Sequence, residues 1–219
     1  MTRKINNSYL LGQSNAPTTG GDMLKTRSDG TPVWEEVDGT TYKAVRFPWF
    51  GGRGVFGGGY AGGTSDVIDY ITIDSTGNAT DFGDISAPIN SMGACSNGSR
   101  GLFVGGSTTN VIQYITISTT GDTTDFGDLT LARRSIDVCS DGTKGVFGGG
   151  SIAGVNPVNT IDYITVSTAG NATDFGDVTV ARYDGDGCSD GTKGVFGGGY
   201  TDANVNIIDY VTIATTGNN

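Results

Sequence analysis

At 219 residues with 36% hydrophobic content, the chain is long enough for one domain with a substantial core. Its formal net charge is −10, divided as 7 Lys/Arg against 5 Asp/Glu in residues 1–53 and 6 against 18 in residues 54–219. The acidic C-terminal part repels phosphate backbones, so we expect no nucleic-acid binding. His, the commonest general base and metal ligand, is absent from the sequence, and we expect neither an enzyme nor a bound cofactor.

The N-terminal residues 1–29 are mostly polar and lack hydrophobic periodicity. We interpret them as an anchor segment that stays extended until a partner protein binds it. The apolar run Tyr9-Leu10-Leu11 is too short for the core of a signal peptide. No stretch of the chain approaches the ~20 apolar residues of a membrane span. We therefore expect no membrane insertion and no conventional secretion.

A hairpin is predicted at the end of this segment and just after it. Residues 23–26 and 33–37 flank Ser28-Asp29-Gly30-Thr31, a favourable tight-turn sequence. Residues 41–47 predict a further strand before Pro48.

From Gly54 onward the sequence repeats one pattern four times, with a period of 44 to 49 residues. The copies open with a G-V-F or G-L-F run at Gly54, Gly101, Gly145 and Gly194. An I-D/Q-Y element follows, with its aromatic residue at Tyr70, Tyr114, Tyr163 and Tyr210. A T-D-F-G-D string is centred on Phe82, Phe126 and Phe175, and a Cys-Ser pair begins at Cys95, Cys139 and Cys188. A fixed period of this length indicates a repeat architecture.

The spacings within the repeat separate a constant frame from one variable connection. Tyr to Phe is always 12 residues, Phe to Cys 13, and Cys to the opening glycine 6. From that glycine to the Ile before Asp/Gln-Tyr the distance varies: 14, 11, 16 and 14 residues. Connections that accept insertions run over the surface. Each repeat therefore has one adjustable surface loop.

Each repeat is predicted to contain four strands: the Cys strand, the G-V-F strand, the I-D/Q-Y strand and the T-D-F-G-D strand. In the third strand of the first copy, Val67, Ile68, Tyr70, Ile71 and Ile73 put apolar groups on both faces. That pattern suits a sheet packed between two others, as in a propeller blade. The three cysteines, at equivalent positions, are expected to be small buried apolar side chains on strands rather than disulfide partners.

At these residues the repeat resembles the kelch motif. Gly58-Gly59, Tyr70 and Phe82 match its hydrophobic strand ending in Gly-Gly, its strand with a Tyr, and its aromatic residue about a dozen residues later. Phe stands where kelch repeats usually have Trp. The resemblance covers residues 54–219 and implies an all-β fold, a kelch-like β-propeller of about four blades with four antiparallel strands each.

A second resemblance is between short strings of this sequence and those of phage proteins. The strings GVFGGG and IDYVTIATTGN are similar to kelch-type repeats of marine bacteriophage tail-fibre and virion proteins, and GDMLKTRSDGTPVWEEV is similar to a stretch near the start of phage fibre proteins. This resemblance implies a virion protein, made in the host cytoplasm, that contacts other virion proteins through residues 1–29 and forms a homo-oligomer in the particle.

The fourth repeat stops at Asn219, before its T-D-F-G-D strand. The segment around Trp34 has a similar spacing of Gly, aromatic residue and Val, and we predict that it closes the last blade, so that residues 30–219 form the propeller domain. Closure would remove exposed sheet edges. The alternative is an incomplete ring, either because the chain belongs to a longer array or because a neighbouring subunit supplies the strand.

One set of equivalent polar positions precedes the repeated Tyr: Asp69, Gln113, Asp162 and Asp209. If these side chains pointed into a central channel they could hold a hard cation such as Ca²⁺. The alternative is that they are solvated or hydrogen-bond a neighbouring blade, and we expect no metal site. The paired Asp residues of T-D-F-G-D occur in three copies, which argues for a structural use, since an active site needs only one.

The variable loops carry the candidate binding residues. The loops are residues 60–66, 107–110, 151–159 and 200–206, and the residues singled out in them are Tyr60, Thr64, Ser107, Asn110, Asn156, Asn159, Tyr200, Asp202 and Asn204. Tyr among Ser, Thr and Asn supplies stacking area and adaptable hydrogen bonds. We expect these loops to attach to a glycan or protein of the host surface. The alternatives are a purely structural spacer of the virion and a bacterial extracellular binding propeller.

Overall fold

The computed structural model describes the backbone of residues 23–26, 32–37 and 42–45, and describes residues 52–217 in full apart from 108, 154 and 155. The regular elements of the described residues are all β-strands. Among these residues there is no helix long and apolar enough to cross a membrane. The chain divides into two compact units, Met1–Phe47 and Pro48–Asn219. The all-β prediction is confirmed.

The first unit contains a small antiparallel sheet of β1 (Met23–Thr26), β2 (Pro32–Val37) and β3 (Tyr42–Val45), in that order. This confirms the predicted strands. Both edges of β2 are paired inside this sheet, since Trp34 lies opposite Leu24 of β1 and Val45 of β3. Use of the Trp34 segment as the outer strand of the last blade would require β1 or β3 to move, and it stays a prediction. The anchor role of residues 1–29 falls largely outside the described residues.

The second unit contains one sheet for each repeat. The first sheet has β4 (Arg53–Gly57), β5 (Ser65–Thr72) and β6 (Thr80–Ile89); the second has β7 (Gly93–Ser96), β8 (Arg100–Val104), β9 (Val111–Thr116) and β10 (Thr124–Asp128). The third has β11 (Asp137–Ser140) and β12 (Lys144–Gly148), then the small hairpin β13 (Ser151–Ile152) and β14 (Asn156–Pro157) in its loop, then β15 (Thr160–Thr165) and β16 (Thr173–Asp177). The fourth has β17 (Asp186–Ser189), β18 (Lys193–Gly197) and β19 (Ile208–Thr212).

All pairings between consecutive strands of these sheets are antiparallel. The second and third sheets have the four strands predicted for a repeat. In the described residues the first sheet lacks a Cys strand, and the fourth lacks a T-D-F-G-D strand. Each repeat therefore folds as its own sheet.

The sheets pack face to face. We call the front face of a sheet the one that carries the Phe of its second strand, and the back face the one that carries the Phe of T-D-F-G-D. The first core joins the back of the first sheet, with Ile68 and Phe82, to the front of the second, with Phe103 and Ile115. The second and third sheets, and the third and fourth, repeat this packing with equivalent residues. Apolar groups on both faces of one strand are thus explained.

A β-bulge places the Phe of each T-D-F-G-D strand in these cores. The register between β9 and β10 shifts between Asp125 and Gly127, leaving Phe126 as the extra residue. A bulge re-aims a side chain. Phe126 is buried and meets the Tyr114 ring edge-on at 6.1 Å, and the first and third sheets have the same contact.

Cationic side chains link successive sheets. Arg53 lies 4.4 Å from the centre of the Tyr70 ring and donates to the Ile117 carbonyl of the next sheet at 2.9 Å. Arg100 and Lys144 occupy the same place and reach the following sheet in the same way. Each of the first three sheets is thus linked to the next by a charge-assisted hydrogen bond from a cation that also contacts an aromatic ring of its own sheet.

Cys95 and Cys139 pack against the next repeat. A Cβ at Gly194 would lie 2.3 Å from the Cys139 sulfur, so the thiol occupies space that only glycine leaves open. Burial raises the pKa of the Cys95 and Cys139 thiols to about 12, which keeps them protonated. The expectation of burial is confirmed for Cys139, met only in part for the half-buried Cys95, and wrong for Cys188, which is exposed because no further sheet of the second unit follows it in the described residues.

Candidate functional site

The variable loops are tied to the segments that connect one sheet to the next, which we call connectors (residues 90–92, 129–136 and 178–185). In the first three sheets the second glycine of the Gly-Gly pair donates its N–H to the connector leaving that sheet or to the residue just before it. These bonds run from Gly59 to Ile89, Gly106 to Arg133 and Gly150 to Arg182, at 2.9, 3.0 and 2.8 Å. Glycine is needed at 106, where φ is +93° and a Cβ would lie 2.6 Å from the Asn90 carbonyl oxygen.

The residue after the glycine pair binds the connector that enters its sheet. The backbone N–H groups of Ser107, Ser151 and Tyr200 donate to the carbonyls of Asn90, Arg134 and Tyr183, at 3.0, 2.9 and 2.7 Å. Loops and connectors therefore share one end of the sheets. We call this end the loop-and-connector surface.

The predicted binding residues lie on this surface. All are exposed except Asn110, which is half-buried: Tyr60, Thr64, Ser107, Asn156, Asn159, Tyr200, Asp202 and Asn204. Two of these side chains make hydrogen bonds that hold the loops in place. Ser107 Oγ donates to Asn90 Oδ1 of the connector at 3.0 Å, and Asn156 Nδ2 donates to the Ala153 carbonyl of its own loop at 3.2 Å. Tyr60, at 70% exposed, is among the most accessible large side chains of the described residues.

A depression beside Tyr200 brings two of the predicted residues together with two that sequence reasoning missed. Its volume is about 580 Å³, and it is lined by Tyr183, Asp184, Gly199, Tyr200, Asn204 and Val205. The rings of Tyr183 and Tyr200 meet edge-on at 5.6 Å. Aromatic faces, an amide and a carboxylate are the groups with which a protein surface can stack on and hydrogen-bond a sugar or a peptide.

A second depression, of about 410 Å³, lies where the Cys strands β7, β11 and β17 begin, and Asp184 lines both depressions. Ser91, Ser135 and Asp184 occupy equivalent positions in it and have φ of 56°, 53° and 55°. The Ser135 N–H donates to the Ser91 carbonyl at 2.8 Å, and the Asp184 N–H donates to the Ser135 carbonyl at 3.3 Å. Left-handed backbone in non-glycine residues is uncommon and persists where the surroundings enforce it.

Asp137, the first residue of β11, is a buried carboxylate next to this second depression. It is 3% exposed, and its Oδ1 has no hydrogen-bond partner among the described residues. Burial raises the pKa of Asp137 to about 6, with smaller increases from Asp186 and Asp184. Arg182 and the Gly185 N–H oppose the rise. The pKa of Asp137 therefore lies about two units above that of an exposed Asp.

The four equivalent polar positions of the repeat lie in different places and do not converge. Asp162 is fully buried between the second and third sheets, where it accepts hydrogen bonds from Arg133 Nη1 at 2.8 Å and Thr130 Oγ1 at 2.6 Å. Asp209 has the same partners in Arg182 and Thr179, one sheet later.

Gln113 accepts from the Ser86 N–H at 3.1 Å and from Thr123 Oγ1 at 2.6 Å, and Asp69 is half-buried on the front of the first sheet. This geometry corresponds to the alternative of bonding to a neighbouring repeat. The described part of the chain contains no group of three or more acidic, Cys or His side chains placed to hold a metal.

The connectors are the part of the surface that sequence reasoning missed. Their signal was present, because Asn90, Arg134 and Tyr183 each lie eight residues after the Phe of T-D-F-G-D and differ from one another as the loops do. No family model matches the chain, and no curated protein matches it.

Proposed function

We propose that the chain is a structural protein of a bacteriophage particle, a tail fibre or appendage, that displays its repeats as blades of a kelch-like β-propeller and attaches to the host surface through the loop-and-connector surface. The observation that carries the attachment role is a constant frame that presents variable loops and variable connectors at one end. Binding residues are disproportionately found on loops positioned by a rigid scaffold.

The frame is well suited to that role. Buried ion pairs, cation–π contacts and bulged Phe side chains recur from sheet to sheet, so changes in one loop leave the packing of the others intact. The loops differ in length and chemistry, from the short loop after Val104 to the β13–β14 hairpin of the third sheet. Tyr60 and Tyr200 supply exposed aromatic area at two places on the same surface.

Sugars and proteins of the host surface are the ligands that this chemistry favours. The depression beside Tyr200 combines two aromatic rings with Asp184 and Asn204. It has no assembled nucleophile and base within the described residues, and we propose binding rather than catalysis. The virion assignment is supported by the resemblance of the repeats to phage fibre proteins, with residues 1–29 as the segment that contacts other virion proteins.

A direct test measures binding of labelled protein to host cells. We expect Tyr60→Ser combined with Tyr200→Ser to weaken binding at least about tenfold, because aromatic anchors dominate such surfaces. Shortening residues 152–158 toward the length of the second loop, with the buried Ser151 kept, should change binding as well. Thr120→Ala, in the turn at the opposite end of β9, is the matched control. Unchanged binding of both loop variants would leave a purely structural role.

Particle composition tests the virion assignment separately. Mass spectrometry of purified phage particles should find this chain among the structural proteins. Absence of the chain from the particles, together with its presence on a bacterial surface, would favour the alternative of a bacterial extracellular binding protein.

A further inference from the structure

The front face of the first sheet repeats the surface that the other three sheets of the second unit bury, and no other sheet of this unit packs against it in the described residues. Phe56 is 60% exposed, whereas its equivalents Phe103, Phe147 and Phe196 are 6%, 0% and 0% exposed. Ile73 is 63% exposed, and its equivalents Ile117, Val166 and Ile213 are at most 9% exposed. Exposed apolar patches of this kind mark interaction sites.

The polar groups of this face are also those that the other sheets use for contact. The turn after β9 donates from the Gly121 N–H to the Phe82 carbonyl of the preceding outer strand at 2.7 Å. Its Asp122 side chain accepts from the Asp84 N–H at 3.0 Å, and the Thr123 N–H donates to the Asp84 carbonyl at 2.9 Å.

The turn after β15 makes the same three bonds to the preceding sheet, with Gly170, Asn171 and Ala172. In the first sheet the corresponding residues are Gly77, Asn78 and Ala79, all exposed. They present the same donor, acceptor and donor in the same order.

The carboxylate of Asp69 indicates which kind of segment this face would bind. Asp162 and Asp209, on the fronts of the third and fourth sheets, each bind an Arg and a Thr from a T-x-x-R segment that follows the outer strand of the sheet before. At the junction of the first and second sheets both partners change together: Gln113 replaces Asp, and Ile89 replaces Arg. The first sheet carries Asp69 at this position, so a segment that binds its front face should supply an Arg as the partner of Asp69.

We propose that the front face of the first sheet binds an extended segment of a second polypeptide with the pattern T-D-F-G-D-x-T-x-x-R. The Phe of that segment packs on Phe56 and Ile71, its backbone pairs with the turn at 77–79, and its Thr and Arg bind Asp69. The chain itself contains two segments with this pattern, beginning in β10 and β16, and both already provide the outer strands of their own sheets. The equivalent segment in β6 has Ser86 and Ile89 in place of the Thr and the Arg. The partner is therefore another chain that carries this repeat.

The proposal is independent of host attachment and is tested with synthetic peptides. The probe is the 11-residue peptide ATDFGDVTVAR, the sequence of residues 172–182. The control peptide is identical except that Ile replaces the final Arg. Added to the ¹⁵N-labelled full-length chain, the Arg peptide should shift the amide signals of Gly77, Asn78 and Ala79. We expect a dissociation constant on the order of 100 μM, since a short strand loses much of its interaction energy to ordering.

Specificity is tested by exchanging the partner of the Arg. Against the unaltered chain, the Arg peptide should bind about tenfold more tightly than the Ile peptide. Against Asp69→Gln, which copies Gln113, the preference should fall to parity or reverse toward the Ile peptide. Retention of the cooperative melting transition shows that this variant is folded.

Two outcomes would overturn the proposal. Equal binding of both peptides to both proteins would show contact without recognition by Asp69. Absence of shifts at 77–79, with these amides already protected from hydrogen exchange, would show that a segment of the same chain covers the face. Loss of host-cell binding in the loop variants would not bear on either result, because those loops lie elsewhere on the sheets.

Discussion

Buried ion pairs decide how neighbouring repeats fit together. Arg133 and Asp162 are both inaccessible to solvent, and the Arg133 Nη2 also donates to the Phe147 carbonyl at 3.1 Å. Burial lowers the pKa of Arg133, and the adjacent Asp162 raises it. A buried pair of this kind adds little net stability, but removal of one partner leaves a charge stranded in the core. Such pairs select which segment follows which sheet.

Arg133→Ile should destabilise the protein by about 3–5 kcal/mol, because Asp162 would be left buried without its cation. The double variant Arg133→Ile with Asp162→Gln should recover most of that loss, since it copies the Ile89 and Gln113 combination at the junction of the first two sheets. Urea denaturation measures both free energies of unfolding. A double variant no more stable than the single one would contradict this account of the junctions.

Asp137 makes stability depend on pH. Its pKa rises from 3.8 to about 6 on folding, so the folded chain binds a proton more tightly than the unfolded chain. Stability from this group is therefore greatest below pH 4 and falls as pH rises to 6. Asp137→Asn should remove that decline and stabilise the protein at pH 7 by about 1–3 kcal/mol, at about 1.4 kcal/mol per pKa unit.

Thermal melting between pH 4 and pH 7 checks the Asp137 prediction. Arg182, Asp184 and Asp186 face the same group and stay unchanged in the variant. If the variant shows the same decline as the unaltered chain over this range, another group is responsible.

At the scale of the strands, most of the fold follows from periodicity and spacing. The constant intervals between Tyr, Phe and Cys predict strands that the structure confirms, because backbone pairing and apolar faces are local properties of the pattern. The contacts between repeats were harder to foresee. The T-x-x-R segment and its Asp are about 30 residues apart, and only the coordinated change to Ile89 and Gln113 signals that they meet.

The loop surface was predictable only in part for the same reason. Variable length identifies the loops, whereas the partners of Tyr200 in the connector, Tyr183 and Asp184, depend on how one sheet stacks on another. Cys188 shows where the repeat pattern misleads. Its position in the repeat predicts a buried side chain, but in the described residues no following sheet covers it.

The glycine of T-D-F-G-D is required by the approach of the next repeat. At Gly127 the backbone has φ of +145°, and a Cβ would lie 2.5 Å from the backbone of Gly170 in the following sheet. Gly127→Ala should therefore destabilise the protein by about 2 kcal/mol or more, through both strain and the clash. Gly77→Ala, where a Cβ meets open space, is the matched control and should change stability by less than about 0.5 kcal/mol.

Chemical denaturation of the two glycine variants provides the comparison. Equal stability of Gly127→Ala and Gly77→Ala would show that the strands at the junction separate more easily than their backbone contact indicates.

On the scale of the whole second unit, stability comes from contacts between adjacent sheets. The second and third sheets each contribute the front face to one core and the back face to another, so they are held on both sides, whereas the first and fourth sheets each contribute one face. Proteins built from stacked repeats have stabilities close to a sum of repeat and neighbour terms. The second and third sheets should then be the most stable part of the described structure.

Hydrogen exchange distinguishes this stack from a ring closed by the segment around Trp34. In a stack, amides of β8 and β12 should exchange slowest, and those of β4, β19 and the turn at 77–79 should exchange fastest, because local opening needs the loss of one interface only. Removal of residues 1–40 should leave this gradient unchanged. In a closed ring every sheet has two neighbours, so all four G-V-F strands would be protected alike, and the same deletion would lower protection first in β19 and β4. Mass-spectrometric exchange on the full chain and on the deletion variant reads both patterns from the same peptides, and uniform protection that the deletion abolishes would establish closure in place of the stack.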